Sequence, residues 1–388
     1  MLKKIAFILA LVCSIIAGKA QTHDVSFAPF LSGPTEIRAM VMQPDEKVII
    51  AGDFIAIGNT PFEGGIARLN ADGSIDNTFD IDSGANSIVF DLALQPDGKL
   101  IVAGQFTEFN GQSAEGLIRL NEDGSVDGSF NISPGTFTGS SFRKVVSQAD
   151  GKVLAVGFII GSNGFTEPGI IRLNEDGSLD TSFDVQLEGF PQAITLQPDG
   201  KILLGGTLTK INSVSTPRVV RLNTDGTIDE TFVTNIGDGP DSDVFDFDFQ
   251  SDGKIITVGR FSLFDGLAFS KVARLNANGT LDATFEDNIG FNSGNYIEAV
   301  EVLGDDKIII AGNFQTPERR FMRLNSDGTR DMGFDPGEGF EGHEFAVTAN
   351  VIDVAVRPDG KVLASGTFTI YDDEHVLGIA LINTDGSR

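Results

Sequence analysis

Two short motifs alternate along this chain, seven copies of each, and that periodicity limits what it can fold into more than any other property. The first is Gln-Pro-Asp-Gly-Lys followed by an apolar run ending in Ala-Gly-x-Phe, as in Gln95–Phe106. Its lysines are Lys47, Lys99, Lys152, Lys201, Lys254, Lys307 and Lys361, spaced 49 to 54 residues apart. The second is Arg-Leu-Asn-x-Asp-Gly-Ser/Thr-x-Asp-x-x-Phe, with asparagines at Asn70, Asn121, Asn174, Asn223, Asn276, Asn325 and Asn383. Units of this length cannot bury an apolar face alone and must stack on copies of themselves. Seven of them fill residues 21–388, which are expected to form a single domain.

Each unit reads as four strands. Val89–Gln95 leads into a Pro-Asp-Gly turn and Lys99–Phe106 leads out; Leu117–Asn121 enters a Glu-Asp-Gly turn and Ser125–Phe130 leaves it. Three-residue loops ending in Gly suit a type I turn followed by a left-handed glycine. The run Lys-Leu-Ile-Val-Ala-Gly lacks alternation, so both faces of that strand are buried. Antiparallel units covered on both faces form either an open stack or a ring. The ends favour the ring. Six units finish with Asp-x-x-Phe (Asp76–Phe79 is the first), whereas the seventh stops at Ser387-Arg388. The missing piece stands at the other end, as Asp24-Val25-Ser26-Phe27. The expectation is an all-β, seven-bladed β-propeller of four-stranded antiparallel blades, closed by an N-terminal strand that completes the last blade.

The two motifs together resemble the delta-60 repeat, an exported bacterial β-propeller repeat, over the whole of residues 21–388. That resemblance implies the propeller fold and brings no activity with it. Local departures are Leu303-Gly304-Asp305-Asp306-Lys307 in the sixth unit and Leu381-Ile382-Asn383 in the seventh.

Residues 1–20 read as a secretory signal peptide: Lys3 and Lys4, then an apolar stretch Ile5–Ile16 too short to span a bilayer, then Gly18 and Ala20 at a cleavage site. Export to the cell surface, periplasm or medium follows as the expectation. The only cysteine, Cys13, lies in that leader, so no disulfide framework is available. The full chain carries 28 basic and 55 acidic residues, a net charge of −27, and losing the three lysines of the leader takes it to −30. Such a surface excludes nucleic acid and anionic lipid as partners. No membrane insertion is expected, and the chain is expected to be a monomer.

Repeated Asn-x-Asp-Gly turns invite a calcium reading, which fails on alignment. With Asp72 and Gly73 at the fifth and sixth loop positions, Arg68 and Phe79 fall where carboxylates are required. The register instead sets Arg68 opposite Asp76, and likewise in five further units, as cross-strand ion pairs. In the seventh, Leu381 faces Asp24 and the pair is lost.

Candidate function sits on the long-connection face. Around the seventh unit the residues Glu338, Glu341, His343 and Glu344 adjoin Tyr371, Asp373 and His375. His343, His375, Glu344 and Asp373 are candidates for acid–base or metal chemistry. The second candidate is the mouth of the central channel. Four residues before each Gln-Pro-Asp-Gly-Lys stand Asp91, Lys144, Asp246 and Asp353, with alanine at Ala39, Ala193 and Ala299. These are candidates for ligand binding, with Ca²⁺ as the one cofactor compatible with them. No nucleophile elbow, phosphate loop or zinc motif is present in the sequence. The function expected is a non-catalytic scaffold binding an extracellular macromolecule or surface. The alternative is a hydrolase or lyase with a His/carboxylate or Ca²⁺-assisted site near the seventh unit.

Overall fold

Each Gln-Pro-Asp-Gly-Lys segment closes a hairpin. Gln95 and Lys99 pair through Gln95 N to Lys99 O (2.7 Å), the Asp97 carboxylate accepts from Lys99 N, and Gly98 takes the left-handed φ of 84° that the turn demands. In the computed structural model these hairpins recur seven times around an axis. The structure describes residues 27, 31–32, 36–54, 56–57, 60–61, 64–160, 166–269, 271–286, 289–291, 294–315, 318–342 and 349–388.

Every blade is a three-stranded antiparallel sheet in sequence order, with the first strand innermost. The inner strands are Glu36–Met42, Val89–Leu94, Ser141–Ser147, Pro191–Leu196, Val244–Phe249, Tyr296–Val302 and Val351–Val356. The second strand of each blade, such as Leu100–Gly104, is buried throughout, as its unbroken apolar run requires. In blades one to six the expected fourth strand is reduced to a single bridge, for example Leu120 with Val126. The cause is local. The Asp127 carboxylate draws in the amide and hydroxyl of Ser129, and Phe130 N bonds Asp127 O, so the chain turns away after one bridge.

The ion pairs form as the register predicts: Arg68 Nε to Asp76 Oδ2 at 2.7 Å, and equivalents in the next five blades. Their surroundings are richer than a hairpin pair. Each aspartate also takes the motif lysine, as Lys99 Nζ to Asp127 Oδ2 at 2.9 Å. Each arginine lies 4.4–4.9 Å over the terminal phenylalanine of its own unit. It also reaches into the following blade, where Arg119 Nη1 donates to Glu175 O (2.8 Å). One residue therefore ties a hairpin shut and fastens it to its neighbour.

Blade seven has Leu381 in place of that arginine, and the chain compensates. Arg357, standing where five of the other units have Gln, donates to Ala71 O (3.0 Å) and pairs with Glu46 of blade one at 2.8 Å. Ala71 is the counterpart of Glu175, so the last blade meets the first in the same register as any other pair. The ring is closed. Of the N-terminal strand, Asp24–Ser26 lie outside the described residues, as does the leader. Phe27 is buried in one cluster with Ile37, Met40 and Leu69 of blade one and Leu363, Ile379 and Leu381 of blade seven. Among the described residues no helix is long and apolar enough to cross a membrane.

Candidate functional site

Inner strands present an unpaired edge to the channel, and their N–H groups need acceptors that no further strand supplies. The aspartates singled out in the sequence meet that need. Asp91 Oδ2 accepts from Val145 N of the next blade (2.7 Å). Asp246 joins Phe247 N (2.9 Å) to Val300 N of the next blade (3.0 Å). Asp353 joins Val354 N (2.9 Å) to Met40 N (2.7 Å), which carries the same bond across the closure of the ring. Asp248 repeats the device one layer deeper, on Phe249 N and Val302 N. Lys144 lies 3.7 Å from Asp91. The sequence candidates at the mouth are thus brought together, and the three aspartates act as fasteners between blades.

Their charge is shaped by the same setting. Burial pushes Asp246 up to about 7 and Asp353 up to about 6, although Lys144 and the backbone amides oppose it. Burial likewise raises Asp91 and Glu298, and raises Glu301 well above the carboxylate range with the charges of Asp248, Asp246 and Asp353 adding to it. Acids whose folded values exceed their unfolded ones contribute stability that is complete below about pH 4 and lost as pH rises through 6 to 7. The thermal midpoint should accordingly fall between about pH 5 and pH 8, with a shallower fall in Asp246→Asn. A midpoint that is level or rising over this window in the parent protein, or an unchanged slope in the variant, would contradict this account of the channel.

What the sequence did not disclose lies one residue earlier. In all seven blades the pairing of inner and second strands slips by one residue, leaving an extra residue at a β-bulge. A bulge frees a side chain from the pleat and re-aims it. The bulged residues are Arg38, Phe90 and Arg143 in blades one to three, Gln192 and Phe245 in four and five, and Glu298 and Ile352 in six and seven. All seven line one cavity of about 230 Å³, together with Lys144, Phe158 and Phe190. Because every blade contributes, the cavity is on the axis. Because the bulges stand where the blade-to-blade connections enter, it is the mouth on the long-connection face.

Within it Arg143 and Arg38 share one ring, their guanidinium carbons 3.9 and 5.4 Å from the Phe90 centroid. Phe158 and Phe190 stack at 4.5 Å. Arg38 is paired with Glu36 at 2.7 Å. The Nε atoms of both arginines and the Oε1 of Gln192 are buried without a hydrogen-bond partner.

The other candidates divide. Tyr371 is fully buried, donates its hydroxyl to Gly386 O (2.5 Å) and packs against Phe340, so it belongs to the core. Phe340–Glu341 pairs with Ile370–Tyr371, which pairs with Glu374–His375, so the two acidic segments do meet on one small sheet. Asp373 and His375 are exposed on it. His343 and Glu344 lie outside the described residues. Larger grooves, one of about 900 Å³ between blades one and two, open on the short-turn face. They are lined by the repeat's own turn residues, among them Asp45, Lys47 and Asp123, and follow from the repeat. Among the described residues no group of three His, Cys, Asp or Glu side chains is arranged to hold a metal ion.

Residues 43–79, 95–130, 148–183, 197–232, 250–285, 303–334 and 357–388 match the model of a domain of unknown function, DUF5122, described as a β-propeller. The chain belongs to the DUF5122 β-propeller family. No curated protein matches it in sequence. Among solved structures, the WD40 β-propeller domain of Doa1 is similar over 89% of this chain and 94% of its own, at 13% identity and a TM-score of 0.53. The extracellular domain of a putative hybrid two-component system from B. thetaiotaomicron is similar over 94% of this chain and 43% of its own, at 10% identity and a TM-score of 0.50. At such identities the likeness is one of fold. The DUF5122 repeat accounts for the turns, the Arg–Asp–Lys clusters and the terminal phenylalanines, and leaves the bulged residues unexplained.

Proposed function

We propose that this DUF5122 propeller is an exported, non-catalytic binding module that takes its ligand at the channel mouth on the long-connection face. One observation carries the reading. Copies that share their turn chemistry, and in six of the seven their Arg–Asp pair, diverge at the bulge, where Arg, Phe, Arg, Gln, Phe, Glu and Ile converge on one cavity. A fold needs no such diversity there, whereas recognition needs unlike groups on a rigid frame. The leader supports export, and the delta-60 resemblance, which brings no activity, agrees with a binding role. Calcium has no part at the Asp-Gly turns, where Asp72 Oδ1 already accepts the amide and hydroxyl of Ser74.

A fragment library screened by thermal shift against the purified protein tests this. Stabilising fragments are expected to lose their effect in Arg143→Ala and Phe190→Ala. Fragments that keep it there and lose it in Asp373→Ala or His375→Ala would move the site to the outer loops of blade seven. Turnover of a bound fragment would replace the reading by the hydrolase or lyase alternative.

A further inference from the structure

We infer that the ligand seated at this mouth is a small organic carboxylate on a flat apolar body, with its anion at Arg143 and Arg38 and its body against Phe158 and Phe190. The inference rests on the binding role proposed above and names the ligand's class.

Charge sets the first half. Arg38 has Glu36, and Lys144 has Asp91. Arg143 has the Phe90 ring beneath it and, among the described residues, no carboxylate within ion-pair distance; its Nε is buried and unpartnered, as is that of Arg38. Two guanidinium groups over one ring repel each other, and burial together with the charge of Arg38 lowers the Arg143 value. An anion relieves that repulsion and supplies the missing acceptors. A carboxylate does so best, because it matches the planar fork of a guanidinium with two parallel hydrogen bonds. Below the mouth Asp91, Asp246 and Asp353 accept from backbone N–H groups and Asp91 also pairs with Lys144, while the one acid of the lining, Glu298, stands on blade six rather than beside Phe90.

Shape sets the second half. Phe158 is among the few large apolar side chains left exposed, at 36%, and it stacks on Phe190 with an interplanar angle of 23°. Phe245 and Ile352 add to the apolar lining of the cavity. About 230 Å³ is below the roughly 300–1,000 Å³ of drug-sized sites and admits a body of one ring.

Calorimetric titration of the full processed protein with 3-phenylpropionate, its neutral amide, 3-phenylpropylamine and acetate tests the class. The acid is expected to bind at least about tenfold more tightly than the amide, with the amine and acetate weaker still. Arg143→Met should erase the preference for acid over amide, and Phe158→Ala should weaken both alike. Equal affinities for acid and amide, or a preference for the amine, would overturn the carboxylate while leaving the mouth as the site if Phe158→Ala still weakens binding. Acid binding undisturbed by either variant would overturn the carboxylate seat and the mouth together. Absence of acid binding up to about 10 mM would overturn the inference.

Discussion

Asp127→Ala should destabilise the propeller by about 3–5 kcal/mol, the range for removing one partner of a buried ion pair. Asp127 Oδ2 holds Arg119 Nε at 2.7 Å and Lys99 Nζ at 2.9 Å, while Oδ1 takes the amide and hydroxyl of Ser129. Burial works against the charge, yet the bonds from Ser129, Lys99 and Arg119 hold this carboxyl well below the usual range. Lys99 is 29% exposed and can turn to water; Arg119, at 4%, cannot. The loss is therefore one of an unanswered buried charge. Blade seven supplies the control, since Leu381 is buried where the other blades have Arg. Arg119→Leu added to Asp127→Ala should restore a large part of the loss, although the bond from Arg119 to Glu175 O is then missing. Chemical denaturation of the parent, both singles and the double mutant gives the coupling. A single mutant within about 1 kcal/mol of the parent would show that the pair is held by hydration rather than by burial.

That triad was legible in part, and the part that was hidden is instructive. Arg119 opposite Asp127 follows from counting residues across a three-residue turn. The bond from Arg119 to Glu175 does not, because a register within one hairpin says nothing of the angle between hairpins. Arg357 replacing the missing arginine of blade seven was hidden for the same reason: its substitution for Gln registers as a lapse in one motif, and Leu381 as a lapse in another. Only the ring makes them one event. Blade number, turn positions and the channel-facing Asp91, Asp246 and Asp353 were all countable from the repeat.

The bulge was not countable, since an extra residue in a strand leaves the apolar pattern of its neighbours intact. One signal did stand in the sequence. Five residues before each Gln-Pro-Asp-Gly-Lys the units hold five different residue types, while four residues before they alternate between Asp, Lys and Ala. Disagreement among copies marks a position the fold does not dictate. At that position the cavity acquires the charges of Arg38, Arg143 and Glu298, to which Lys144 adds one from the next position.

Phe27→Ala should cost about 3–5 kcal/mol, as expected for truncating a buried phenylalanine, and should do so at the seam of the ring. Phe27 is 3% exposed and shares a cluster with Met40 and Leu69 of blade one and with Ile379 and Leu381 of blade seven. In other blades the corresponding ring lies beneath an arginine that also bonds the next blade; here it lies beside Leu381. Phe130→Ala is the comparison, since Phe130 is buried in the middle of continuous chain. Both variants lose packing, but a weakened seam lets blades one and seven part, and an interior vacancy does not. Hydrogen exchange should therefore accelerate in Val48–Asp53 and Val362–Gly366 of Phe27→Ala, well beyond the acceleration that matched denaturant stress produces in Phe130→Ala. Deleting residues 21–27 should enlarge the effect and expose a strand edge open to association. If exchange in the two seam strands is no faster in Phe27→Ala than in Phe130→Ala, and the deletion remains a monomer of parental stability, the ring is held by Asp353, Arg357 and the two blade faces alone.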